Sequence, residues 1–254
     1  MAAYMPGQRE VVLGVLPYNE TMMQLIWQTD KQASFPTYNG DVIGGGLAEQ
    51  ALGWVKWSVK TDTWAGKPCM VLRCEGNTKE ALSKTLKVDI RDIKSWWVDG
   101  GGKILRQYEQ QIRPFVTRTA NCVYQKDSID VSVEDEKGRR QTSVFPNVEM
   151  DELHAQFKPM WKDGKVLLDK KDYYVFNPFE GGFDKYTARL AGWAGGSYFN
   201  MKFVGKAFEI TGPRLVQTAG ISEEGDLIHV QLPKDRYIVM QALPQGKIKK
   251  PGTQ

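Results

Sequence analysis

Histidine, cysteine and long apolar runs are all scarce in this chain of 254 residues. The two histidines, His154 and His229, are too few for a metal site built from several histidines. The three cysteines show neither a C-x-x-C pair nor a cysteine–histidine spacing typical of zinc. No apolar run approaches the roughly 20 residues that a membrane-spanning helix needs. We therefore expect no metal, no cofactor and at most peripheral contact with a membrane.

Recognisable catalytic motifs are missing as well. The sequence has no nucleophile elbow, no zinc-protease motif and no calcium-binding loop. A hydrolase with paired carboxylates stays open, because its two residues come from different strands and leave no sequence motif. The 30 acidic residues offer no basis for choosing such a pair. We thus predict no catalytic residue and expect a binding protein rather than an enzyme.

Charge is balanced along the chain. The net charge is +4, and lysine and arginine are interleaved with aspartate and glutamate instead of forming a basic face. Nucleic-acid binders usually carry such a face, so we expect no nucleic-acid partner. The N-terminus lacks the charged and then apolar pattern of a signal peptide. If a signal peptide had been removed, the protein would be exported to the periplasm or cell surface; otherwise its location is unknown.

The cysteines leave room for one disulfide at most. Cys69 and Cys74 fall in one predicted strand, which separates them by about 16 Å at roughly 3.3 Å per residue. That distance exceeds disulfide reach, so any disulfide would have to use Cys122. The alternative is that all three act as small buried apolar residues.

Alternating apolar residues separated by turn signals dominate the sequence. The clearest stretch runs from Tyr198 to Leu243, and a second series of hairpins runs from Ala48 to Pro146. Alternation of this kind predicts strands with one buried face, joined into an antiparallel meander. The fold class is therefore predicted as all-β, a curved antiparallel meander in the form of a half-barrel or sandwich, with two short helices.

The two predicted helices and two predicted bulges mark local departures from this pattern. Capping residues before Met22 predict a helix that ends near Lys31, and a one-sided apolar pattern predicts another over 147–157. Shifts in the alternation predict bulges near Arg91 and at Gly205.

The chain divides into four predicted segments. These are an N-terminal arm with a short helix (1–47), a first β lobe (48–146), a second β lobe that continues the same sheet system (147–243), and a flexible tail (244–254).

Aromatic residues are the least ordinary feature, with eight tryptophans in the chain. Alternation sends one ring of each neighbouring pair inward and the other outward. Inward rings would line a cavity for a hydrophobic ligand, with the candidate residues Trp57, Trp97, Tyr108, Phe199, Met201 and Phe203. Outward rings would form a platform for sugars, with the candidates Trp54, Trp64 and Trp96. The structural alternative is that these rings simply fill the core or pack beneath loops.

Three stretches carry a resemblance to a known group. They are Gly53–Val59 (GWVKWSV), the turn and return over Trp64–Leu72, and Ile221–Pro233 (ISEEGDLIHVQLP) followed by Tyr237–Leu243. This pattern resembles exported bacterial β-rich proteins of unknown function, similar in shape to the lipoprotein carriers of the cell envelope. The resemblance implies a strongly curved sheet whose concave face holds an acyl chain and is closed by short helices. The chain differs in having no visible lipobox cysteine.

Three functions follow as hypotheses. The first is a non-enzymatic module in the cell envelope that binds a hydrophobic, lipid-like ligand. The second is a structural or assembly subunit of an envelope or virion complex, which would bind a protein partner and form oligomers. The third is a carbohydrate-binding domain that uses the outward tryptophans.

Overall fold

The computed structural model covers the chain in separate ranges. It describes residues 9–15, 22–28, 32–34, 37–44, 50–78, 90–100, 103–146, 159–162, 165–166, 168–198, 201–213, 215–221, 227–232, 236–243 and 247–249. Side chains are described chiefly within 60–78, 90–100, 103–146, 168–192 and 207–213.

Strands make up nearly all of the described backbone. In chain order they are β1 (Arg9–Val15), β2 (Met22–Gln28), β3 (Gln32–Ser34), β4 (Thr37–Gly44), β5 (Gln50–Trp64), β6 (Lys67–Thr78), β7 (Arg91–Val98), β8 (Ile104–Arg113), β9 (Val116–Tyr124), β10 (Ser128–Asp135), β11 (Arg140–Pro146), β12 (Pro159–Lys162), β13 (Lys165–Val166), β14 (Lys170–Asn177), β15 (Gly182–Tyr198), β16 (Met201–Gly212), β17 (Leu215–Ile221), β18 (Leu227–Leu232), β19 (Arg236–Leu243) and β20 (Lys247–Lys249). The described ranges contain no helix long and apolar enough to cross a membrane.

One large sheet holds most of these strands. Its fourteen strands follow the order β11-β10-β9-β8-β7-β6-β5-β4-β19-β18-β17-β16-β15-β14. Neighbours are consecutive in the chain except at one seam, where β4 pairs antiparallel with β19. Two smaller sheets have the orders β13-β12-β1-β2 and β20-β3. The prediction of an all-β protein built from antiparallel hairpins is therefore confirmed.

The predicted helix that ends near Lys31 is wrong. Residues Met22–Gln28 form β2, which pairs along its whole length with β1, from Arg9 opposite Gln28 to Val15 opposite Met22. A short apolar run fits a helix and a strand equally well, and here the pairing with the preceding strand β1 decides between them. The second predicted helix, over 147–157, lies outside the described residues.

The predicted bulge near Arg91 is also wrong. The ladder between β6 and β7 runs without interruption from Met70 opposite Val98 to Asn77 opposite Arg91. The irregularity lies at the other end of β7, between Trp97 and Val98 in the pairing with β8.

The irregularity predicted at Gly205 lies in the partner strand instead. Gly205 pairs regularly with Ala194, and the register shifts between Leu190 and Gly192 of β15. Gly192 adopts a positive φ of 104°, a conformation that glycine reaches without the clash of a Cβ.

The predicted lobes 48–146 and 147–243 both contribute strands to the large sheet. Part of the predicted tail, Lys247–Lys249, forms β20 and pairs with β3. The boundaries of the four segments stay predictions.

Cross-strand pairing defines two faces in the part of the sheet from β6 to β10. We call inner the face that carries Leu72, Trp96, Gln107, Cys122 and Val131, which pair in succession. All five of these residues are buried. The outer face carries the residues that alternate with them. All three cysteines are buried, as their interpretation as small buried apolar residues predicts.

Strand β14 covers the inner face. Gln107 Nε2 of β8 donates a 3.3 Å hydrogen bond to the Phe176 carbonyl of β14, and the rings of Phe145 and Phe176 lie 5.4 Å apart. In the strand order β14 stands ten places from β8. Ten ladder spacings amount to about 48 Å in a flat sheet. The contact therefore joins two parts of the sheet that strand pairing alone would keep far apart.

We expect Gly181→Ala to destabilise the protein more than Gly138→Ala. Both glycines have similar positive φ values, 66° and 73°, so the backbone strain from a Cβ is matched. A Cβ at position 181 would lie 2.6 Å from the Phe145 ring, whereas one at position 138 meets nothing within 4 Å. The extra loss in unfolding free energy, measured by denaturant titration, should be about 1–3 kcal/mol. Equal losses would contradict a tight contact between the β14–β15 turn and β11.

Candidate ligand-binding face

Polar side chains form a row across the buried inner face, on the three central strands β7, β8 and β9. Lys94 pairs with Glu109, and Trp96 pairs with Gln107 in the next position along the same two strands. Lys94, Glu109 and Gln107 are all buried. Burial of this many polar groups is unfavourable unless each finds a partner.

Hydrogen bonds connect this row. Lys94 Nζ lies 2.7 Å from Glu109 Oε1, and Gln107 Nε2 donates to the same oxygen at 2.6 Å. The Tyr124 hydroxyl donates to Gln107 Oε1 at 2.7 Å. Gln107 thus joins the ion pair, the tyrosine and the carbonyl of Phe176 into one network. A buried network whose members are satisfied favours one arrangement of the surrounding strands.

The Cys122 thiol and the Tyr124 hydroxyl, on strand β9, are both held in their neutral forms. Burial raises the pKa of the Cys122 thiol, and the Glu109 carboxylate raises it further. Burial also raises the pKa of the Tyr124 hydroxyl well above its usual value. Cysteine chemistry depends on the thiolate, so Cys122 is poorly suited to act as a nucleophile.

A second polar group lies toward the end of the same face. Asp92 is buried, and Arg113 Nη2 contacts its Oδ2 at 2.7 Å. Burial raises the pKa of Asp92 despite this arginine. Arg118 donates from Nε to Gln111 Oε1 at 2.9 Å, and its guanidinium carbon lies 4.1 Å from the centre of the Phe179 ring. The turn after β14 therefore packs against β9 as well.

The polar groups of this row hold one another in place and are not arranged to make or break covalent bonds. Lys94 and Glu109 neutralise each other, and Gln107 is engaged at both ends of its amide. Within the described residues, no group of three histidine, cysteine or carboxylate side chains is placed to hold a metal ion. The inner face is therefore an apolar surface crossed by the row of Lys94, Glu109, Gln107 and Tyr124, in which the two charges neutralise each other.

The outer face carries a separate aromatic cluster. The rings of Trp64 and Trp97 lie 6.5 Å apart, and the guanidinium carbon of Arg106 lies 4.9 Å and 4.4 Å from their centres. The indole N–H of Trp97 donates to Asp62 Oδ2 at 3.3 Å. Both rings are partly exposed, so they present aromatic surface beside polar groups.

Two of the six residues predicted to line a ligand cavity, Trp97 and Tyr108, have described side chains. Trp97 lies on the outer face, and Tyr108 alternates with the inner-face residues Gln107 and Glu109. Trp57 is described by its backbone, which pairs with Cys74 and Tyr38. Only the backbones of Met201 and Phe203 are described, in β16, and Phe199 lies outside the described residues. The ligand role of these six residues stays a prediction.

The residues predicted to form a sugar platform are split between the two faces. Trp96 has 0% exposure and belongs to the inner face, so the predicted orientation of Trp96 and Trp97 is reversed. Trp54 and Trp64 are partly exposed, but they lie ten residues apart along β5. Trp64 has Trp97 as its aromatic neighbour instead.

Sequence reasoning missed Lys94, Gln107 and Glu109. All three are polar and each has an apolar or aromatic residue on one side in the sequence, as residues of a solvated face often do. Strand β7 is buried on both faces, because Ile93 and Ser95 are buried along with Asp92, Lys94 and Trp96. The sequence offers no local signal that separates this case from an exposed polar stripe.

We expect Gln107→Leu to destabilise the protein by about 1–3 kcal/mol, because it removes the acceptor of the buried Tyr124 hydroxyl and a donor to both Glu109 and the Phe176 carbonyl. Gln110→Leu, three residues along the same strand, is the matched control. Gln110 is half-buried and takes no part in the network, so its replacement should change stability by less than about 0.5 kcal/mol. Denaturant unfolding of both variants checks this, and similar losses would show that the network does not hold β14 to β8.

Comparison with known proteins adds little to this description of an all-β protein with antiparallel sheets. No protein-family model matches the chain, and no curated protein sequence matches it. Among solved structures, it is similar to the crystal structure of a beta-barrel-like protein of a domain of unknown function, DUF1849, from Brucella abortus. The match covers 82% of this chain and 95% of that chain, with 9% sequence identity and a TM-score of 0.39. A likeness this weak carries no argument about function.

Proposed function

We propose that the protein is a non-enzymatic module that binds a hydrophobic, lipid-like ligand, and that its large sheet curves round to hold that ligand. The observation that carries the proposal is the contact between β14 and the inner face of β8 and β11. A sheet of fourteen strands that closed on itself would surround more volume than its own side chains fill. Eight strands already suffice for a filled interior or for one small ligand.

The chemistry of the inner face supports an apolar ligand. Its buried members in β6 to β10 include Leu72, Trp96 and Val131, and buried Phe176 of β14 packs on Phe145 of β11. Lys94 and Glu109 compensate each other, so the polar row adds no net charge. Such a surface matches the general character of small-molecule sites, which are mostly apolar with a few placed polar groups.

Burial on the inner face decreases along β10. Val131 is buried, whereas Val133, two residues further along this strand, is half-buried. We place the ligand beside Val133, where burial is less complete. A location in the cell envelope, which the family resemblance implies, is part of the proposal.

Native mass spectrometry with organic extraction tests the proposal. We expect a protein that carries a near-stoichiometric adduct, which organic solvent removes and which mass analysis identifies as a lipid. Val133→Trp places a large ring on the inner face and should reduce the adduct severalfold, because it takes up the ligand's volume. Glu134→Trp is the matched control, since this adjacent residue is exposed on the outer face and its replacement should leave the adduct unchanged.

A protein that is lipid-free when purified and binds no added lipid would contradict this function. A lipid-free oligomer would instead favour the structural or assembly subunit. An adduct equally reduced by both tryptophan variants would contradict the placement of the ligand on the inner face.

Carbohydrate binding is the second candidate, and the outer cluster of Trp64, Trp97 and Arg106 favours it. Partly exposed indole rings beside charged groups suit sugar rings, which offer apolar faces and hydroxyl edges. We expect Trp64→Ala to abolish any polysaccharide pull-down. Trp54→Ala should retain it, because Trp54 stands about 33 Å away along β5. Absence of pull-down by the unaltered protein, or equal retention by both variants, would remove this candidate.

A further inference from the structure

A fully exposed aromatic residue stands at the tip of the β8–β9 hairpin. Phe115 is 99% exposed, the next residue Val116 is 44% exposed, and Pro114 before them is exposed as well. The turn thus presents three consecutive apolar residues to solvent. Isolated exposed apolar residues are ordinary, but a large aromatic ring with no burial at all gains nothing from folding.

The backbone conformation at this tip is unfavourable for phenylalanine. Phe115 has a φ of 70°, in the left-handed region where a Cβ is unfavourable and glycine or asparagine is preferred. Other described turns use small residues in this conformation: Ala65 and Gly66 between β5 and β6, and Gly138 between β10 and β11. Neither packing nor local conformation explains the aromatic ring at position 115. Strain of this kind is frequently retained for a function.

Charged side chains of both signs lie beside the tip, where Arg113 is paired with Asp92 and Arg139 with Asp135. Arg113, which is 41% exposed, ends β8 immediately before it. Arg118 of β9 pairs with Asp135 of β10, which places the turn after β10 at the same end of the sheet. That turn carries exposed Lys137 and Arg139 together with Glu136, so its net charge is small.

We propose that the hairpin tip Pro114–Val116 inserts Phe115 into the interfacial region of a phospholipid bilayer. Apolar rings flanked by arginine and lysine are typical of segments that lie at the boundary of headgroups and acyl chains. A stable protein interface buries about 800 Å² on each partner, far more than three tip residues supply. The proposal rests on the proposed function, because a lipid carrier must meet a membrane to take up or release its ligand.

Vesicle co-sedimentation of the full chain tests this site, with phosphatidylcholine vesicles prepared with and without phosphatidylglycerol. We expect Phe115→Gly to weaken binding about tenfold or more, since it removes the inserted ring. The same variant should be at least as stable as the unaltered protein, because glycine relieves the positive φ. Phe115→Trp should restore binding. The small net charge beside the tip predicts only a modest gain from phosphatidylglycerol.

Val144→Gly is the matched control. Val144 is 69% exposed, but it lies on β11 away from the tip, and its replacement should leave vesicle binding unchanged. Failure of the unaltered protein to bind vesicles, or equal binding by Phe115→Gly, would overturn the membrane-contact site. These outcomes are distinct from failure of the proposed function, which is the absence of bound lipid in native mass spectra whatever the vesicles show.

Discussion

The hydrogen bond from Gln107 to the Phe176 carbonyl joins strands that stand ten places apart in the sheet. Around it, Phe145 packs on Phe176, and Glu109 with Lys94 completes the polar row. Without this contact the inner face of β7 to β9 would leave charged and apolar groups uncovered. The burial of the face, the neutral state of Cys122 and the proposed ligand space therefore all depend on it.

Individual hairpins were predictable because their information is local. The sequence predicts a series of hairpins from Ala48 to Pro146, and β5 to β11 pair in succession from Gln50 to Pro146. Alternation and turn residues specify such pairs directly. The segment Met22–Gln28 was predicted as a helix because its short apolar run shows no strict alternation, although it pairs with the preceding strand β1.

The candidate site was harder to predict, because the sequence of a strand does not say which of its faces is buried. That depends on which other strand packs on it. In β7, hydrophobicity favours Ile93 and Trp97 as the inward residues, yet Lys94 and Trp96 lie on the inner face. The strand that packs on this face is β14, which is remote in sequence and accepts a hydrogen bond from Gln107. The residue composition around β7 does not reveal this contact with β14.

The seam between β4 and β19 has a kinetic consequence. Every other neighbour in the large sheet is joined by consecutive chain, whereas Gly44 and Arg236 meet across about 190 residues. Closing a loop of that length costs roughly 3 kcal/mol more entropy than closing a four-residue turn. We expect the hairpins on either side to form early and the seam to form late, so refolding should be slow for a chain of this size.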